Sequence, residues 1–164
     1  MDDGNRLSRL VHKLDSLPVG LRRFLITFLF GGTVHFVRTV GLRFEALTED
    51  RAVVVVGNRR RVQNHIGTVH ASAMGLLGET ATGAVIGMNV PDDRVPVLKG
   101  MRMDFRKRAQ GALRAEASLT PEMQARIQTE EKGELSVPVR ITDESGESPL
   151  ACEYVWAWHS RKKP

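Results

Sequence analysis

The chain has 164 residues, 26% charged and 41% hydrophobic, the make-up of one soluble globular domain with a real core. Cys152 is the only cysteine, so intrachain disulfides and cysteine-built metal sites are excluded and a reducing cytoplasm is the expected setting; the five histidines show neither HxxxH nor HExxH spacing, so no metal is expected. A net charge of +5 admits nucleic acid, an anionic membrane surface or a phosphate-bearing small molecule as partner, and equally a charge that serves only solubility.

In chain order, Leu7, Leu10, Val11, Leu14 and Leu17 recur at helical spacing with Arg6, Arg9, Lys13 and Asp15 between them. Pro18 suits the first turn of a second helix, carried on by Leu21, Phe24, Leu25, Phe28 and Leu29 and closed by Gly31-Gly32. The run from Phe24 to Val37 holds no Asp, Glu, Lys or Arg, yet falls short of the ~20 residues a bilayer span needs, so no stable membrane insertion is expected. A signal peptide fits poorly, because Asp2, Asp3 and Asp15 precede that run. Phe24, Leu25, Phe28 and Leu29 are candidates to cap an apolar pocket, with plain core packing as the alternative.

From Thr33 the texture turns β-like through Val34, Phe36, Val40, Leu42 and Phe44, and a second strand covers Ala52 to Val56. Ala71 to Val85, rich in Ala, Gly, Leu and Met, reads as a buried helix, and Pro91-Asp92-Asp93 as a turn. Four strand-like segments follow: Val95 to Arg106, Ala112 to Leu119, Leu135 to Ile141 and Leu150 to Trp158, with a short helical piece after Pro121. The tail Arg161-Lys162-Lys163 reads as a solvated end. The order is satisfied by an α+β fold, an antiparallel sheet wrapped around one central helix. Residues 1–32 form an N-terminal helical extension and 33–164 the domain proper.

The informative stretch runs from Asn64 to Gly83. On the buried helix Ser72, Gly75, Glu79, Thr82 and Gly83 share a face, while Leu76, Leu77, Thr80, Ala81 and Ala84 supply the sheet-packing side. Glu79 is the only acid between Asp50 and Asp92, and a lone carboxylate among small residues leaves room for a ligand. If both are helical, His70 and Glu79 lie ~13.5 Å apart along the axis and about 180° around it. They reach one reacting atom only across a two-fold axis, so a working site implies a homodimer with antiparallel central helices, a tetramer of such dimers being left open. Unpaired backbone N–H groups of Ala71 and Ser72, at the positive end of the helix dipole, suit a thioester oxygen that becomes an oxyanion. The Asn64 amide is placed to orient a water or a carbonyl.

The pattern Asn64…Gly67…His70-Ala71-Ser72…Glu79 resembles the hotdog-fold acyl-CoA thioesterases related to the phenylacetyl-CoA and hydroxybenzoyl-CoA enzymes, and the run Arg59 to Ala71 is similar to an uncharacterised thioesterase-like branch of that superfamily. The resemblance covers roughly residues 33 to 159. It implies Glu79 as nucleophile or general base, Asn64 as the amide that places water or substrate, the Ala71 N–H as the carbonyl polariser and His70 as a hydrogen-bonding support. Thr68, Ser72, Gly75 and Arg61 are the candidate substrate-binding residues. One departure is that the usual glycine pair after the histidine is Ala71-Ser72 here. The expected substrate is acyl-CoA or a related thioester, with CoA part of the substrate and no separate cofactor. Arg59, Arg60, Arg61 and the run Arg106-Lys107-Arg108 are candidate contacts to CoA phosphates. The alternative is a non-catalytic acyl- or acyl-CoA-binding protein. Nucleic acid is disfavoured, since one Tyr and two Trp give no stacking motif and no helix-turn-helix pattern is present.

Overall fold

The computed structural model describes residues 4–161; Asp2, Asp3 and the tail residues Lys162 and Lys163 lie outside them. The N-terminal part is helical to residue 40. Helix α1 (Arg6–His12) starts at Asn5, whose side chain accepts the Ser8 N–H at 2.8 Å. Leu14 and Leu17, expected to extend this helix, lie beyond it in a turn. Helix α2 (Val19–Thr33) begins directly after Pro18 and runs through Gly31 and Gly32, which do not close it as expected. Gly31 instead meets the next helix, where an added Cβ would lie 3.2 Å from the Cβ of Arg38.

That next helix, α3 (His35–Val40), occupies residues whose texture predicts strand. Val37 and Val40 are buried at helical spacing, so tertiary packing overrides the β-preference of Val and Thr. Gly41, at φ 78°, ends α3 in the left-handed conformation that favours glycine. The first strand therefore starts only at Arg43.

Strands β1 (Arg43–Leu47), β2 (Arg51–Val56), β4 (Leu113–Ser118) and β6 (Val139–Asp143) form one sheet in the order β1-β2-β4-β6; β3 (Arg94–Phe105), β7 (Leu150–Ser160) and β5 (Gly133–Ser136) form a second in the order β3-β7-β5. Every pairing is antiparallel. The segment expected as one strand from Leu135 to Ile141 is two strands on different sheets. Pro138, which has no N–H to donate to a ladder, falls at the break. The neighbouring Val137 N–H donates to Tyr154 O at 3.0 Å and carries the β5–β7 ladder up to that break. Helix α5 (Pro121–Thr129) follows Thr120, which caps it, with Pro121 at its first position.

Both sheets curl around the helix α4 (Ala71–Asn89), the hotdog architecture. Leu76, Leu77, Thr80, Ala81 and Ala84 are all buried, as their spacing predicts. Close approach of α4 to β7 depends on two helical glycines. A Cβ at Gly78 would collide with the Tyr154 phenol, and one at Gly83 with the Trp156 ring. Tyr154 Oη donates to Gly75 O at 3.0 Å and Trp156 Nε1 to Thr82 Oγ1 at 2.9 Å, fixing the helix against the strand.

Candidate functional site

The loop leading into α4 is held by Asn64. Its Oδ1 accepts the Ile66 and Thr68 N–H groups, each at 3.1 Å, and its Nδ2 donates to Thr68 Oγ1 at 2.8 Å. Gly67, at φ 76°, supplies the left-handed turn within the loop. Thr68 is buried and spends its hydroxyl on Asn64. Three of the bonds open to the Asn64 amide are thus committed to the loop, and one N–H is left to face a water or carbonyl.

His70 ends the loop as the N-cap of α4. Its Nδ1 accepts the Ser72 N–H at 3.1 Å, which places the ring proton of the neutral imidazole on Nε2. This corrects one expectation, because the Ser72 N–H is not free. The Ala71 N–H has no partner among the described residues, and both Ala71 and Ser72 are exposed. The helix start therefore offers one backbone donor, at the positive end of the dipole.

Two turns further along α4, Glu79 is half-buried, and its carboxyl makes no hydrogen bond or ion pair among the described residues. Burial raises its carboxyl above the usual glutamate range, since the charged form loses solvent without gaining a partner. The face on which it sits is less open than the spacing of small residues suggests. The space over Gly75 is taken by Met101 and Met103 of β3, whose methyl groups would lie 3.5 and 3.2 Å from an added Cβ. Thr82 is fully buried under Trp156, and Gly83 is covered by the same ring. On this face Ser72 is thus exposed and Glu79 half-buried, while Gly75 and Thr82 are covered. Sequence reasoning missed those methionines; their signal was the alternation Met101, Met103, Phe105 on β3.

Other candidates fall elsewhere. Arg61 is exposed and its guanidinium lies over Gly41, in a cleft shared with α2 and α3. Arg59 and Arg60 are exposed as well. Lys107 pairs with Glu147, and Arg108 donates to Ile66 O, so that run braces loops. Phe24, Leu25, Phe28 and Leu29 line clefts walled by α1 and α3 that do not include Glu79, because α2 packs along β1 at the sheet's outer edge. Cys152 is a poor nucleophile, with burial pushing its thiol up to about 11.

Residues 22–158 match the family model described as "Domain of unknown function (DUF4442)". The chain belongs to that family. Among solved structures it is similar to a Pseudomonas aeruginosa protein of unknown function described as "Probable Thioesterase", at 30% identity and TM-score 0.76, over 88% of this chain and 97% of that one. A thioesterase from Haemophilus influenzae shares the fold at 12% identity and TM-score 0.65, covering 89% and 93%. A mutant thioesterase from Pseudomonas aeruginosa does so at 12% identity and TM-score 0.67, covering 90% and 97%. No curated protein matches the chain significantly.

Proposed function

We propose that the protein hydrolyses an acyl thioester, with acyl-CoA as the substrate class and Glu79 as the acting carboxylate. The observation that carries this reading is Glu79 itself: a half-buried acid on the central helix, its carboxyl without a partner among the described residues and its proton affinity raised by burial. Such a group can take a proton from water as the water attacks the thioester carbon, or attack that carbon directly. The carbonyl oxygen turns oxyanion and accepts the Ala71 N–H. Collapse breaks the C–S bond: on the first route the proton held by Glu79 passes to the leaving thiolate, and on the second the acyl–Glu79 anhydride so formed is hydrolysed by water, freeing the acid and restoring the carboxylate.

Within one chain the Ala71 N–H and Glu79 are separated by two turns of helix, so the site needs a second copy. The outer edge of β3 supports this. It has no strand partner among the described residues, is twelve residues long, and leaves Met101 48% and Phe105 53% exposed. A long unpaired edge is a template for pairing. Antiparallel pairing of two β3 strands about a two-fold axis would set the α4 helices of the two chains side by side.

The non-catalytic alternative, an acyl-CoA-binding protein, draws on one observation: Ala71 and Ser72 put side chains at the helix start, where the enzymes that the sequence resembles carry a glycine pair. Incubating the purified protein with a panel of aliphatic and aromatic acyl-CoAs and following free thiol separates the two. Turnover of at least one ester is expected; binding without thiol release across the panel favours the alternative.

A further inference from the structure

Helix α2 turns an apolar stripe outward. Leu21, Phe24 and Phe28 follow at three- and four-residue spacing, and the two phenylalanines, stacked at 6.4 Å, are 63% and 70% exposed. Phe36 at the start of α3 adds a third exposed ring. A helix covering a core normally presents polar residues to solvent, yet α2 also buries Ile26 and packs Phe30 on Phe44 from its inner side. Its apolar outer face is therefore surplus to the fold.

Beside the stripe runs a cleft of about 290 Å³ between α2 and the turn after α3, floored by Phe24 and Phe28 and rimmed by Arg38, Arg43, Arg59 and Arg61. No acid lines it. None of these four arginines makes a side-chain hydrogen bond or ion pair among the described residues, whereas Arg22, Arg51, Arg114 and Arg126 are each paired with a carboxylate. The sequence from residue 16 to residue 44 contains no Asp or Glu. Unpaired cations and exposed aromatic rings are thus concentrated on one face.

We propose that this face docks the protein on the surface of an anionic phospholipid bilayer. Phenylalanines at the acyl boundary and guanidiniums at the phosphate level are the two contributions such a surface rewards. A free phosphate would engage the arginines but leave the rings in water. A second copy of this chain, itself at +5, brings no charge complement. No helix among the described residues is long and apolar enough to cross a membrane, so the contact is peripheral.

The test is co-sedimentation of the full chain with vesicles of phosphatidylcholine alone and of equal parts phosphatidylcholine and phosphatidylglycerol. Retention is expected on the anionic vesicles only, weakening as salt is raised. Arg38→Ser with Arg43→Ser should lower the partition constant roughly 30-fold, at about fivefold per arginine. Phe24→Ser with Phe28→Ser should lower it roughly tenfold or more. Neither pair contributes to the core, and if one variant misfolds the other decides. The proposal is overturned by no retention on anionic vesicles or by unchanged retention of the folded variants. It is equally overturned if Phe24→Ser with Phe28→Ser reduces the protein's oligomeric mass without lipid, since the face is then covered by another copy.

Discussion

Replacing Gly83 by alanine tests how tightly strand β7 closes on the central helix. In a helix interior this change ordinarily stabilises by about 1 kcal/mol. Here the new Cβ would lie 2.7 and 2.8 Å from two carbons of the Trp156 ring, inside any allowed contact. The ring cannot swing aside freely, because it is buried and its Nε1 is bonded to Thr82 Oγ1 at 2.9 Å. Overpacking costs about 1–3 kcal/mol, and breaking the indole bond about 1 kcal/mol more. The clash outweighs the propensity gain, leaving a net loss of about 1–3 kcal/mol. For a chain of this size that is a Tm drop of roughly 3–10 °C, measurable by calorimetry or circular dichroism. The control is Gly32→Ala, where an added Cβ meets nothing within 4 Å and stability should hold or rise. A Gly83→Ala protein as stable as the parent would refute the packing argument.

Further outcomes follow from the same geometry. Because burial raises the Glu79 carboxyl, the folded state binds its proton more tightly than the unfolded chain; Glu79 therefore costs stability above the usual glutamate range, and Glu79→Gln should raise Tm at neutral pH with the gain fading on acidification. Glu116 is the opposite case, held down to about 2 by hydrogen bonds from Arg51 and Arg114, so Glu116→Gln should lose up to about 1 kcal/mol at neutral pH, a deficit that vanishes as pH falls from the usual glutamate range toward about 2 in urea titrations. Met101→Lys, on the open edge of β3, should convert a dimer to monomer by light scattering; a parent already monomeric at micromolar concentration would count against the shared site. Cys152 should resist iodoacetamide at pH 8 in the folded protein and react on unfolding.

Much of the fold was legible in the sequence because its central elements are long and their patterns unambiguous. Ala71 to Val85 has helix-forming composition and no proline, and the structure extends it only to Asn89. β3, β4 and β7 fall within a residue or two of their expected bounds. The misses share one cause, that short segments answer to tertiary context. His35 to Val40 is rich in β-branched residues yet helical, since burying Val37 and Val40 on one side requires that spacing. Gly31-Gly32 looks like a helix stop, but Gly31 serves the approach of Arg38. At the site, spacing alone put Glu79 on the helix face of small residues and started the helix at Ala71, whereas the supporting part of His70 came only from the family resemblance. The filling of the small-residue face could not, because Met101, Met103 and Trp156 come from strands far along the chain.

The central claim is that the Glu79 carboxylate carries thioester hydrolysis. The direct measurement is thiol release from the best acyl-CoA of the panel by parent, Glu79→Gln and Glu116→Gln proteins, each shown folded and of equal oligomeric mass. Loss of about 10²–10⁴-fold is expected in Glu79→Gln, with ligand binding retained, and near-parent activity in Glu116→Gln. Full hydrolysis by a folded Glu79→Gln protein would contradict the mechanism while leaving the hotdog fold intact.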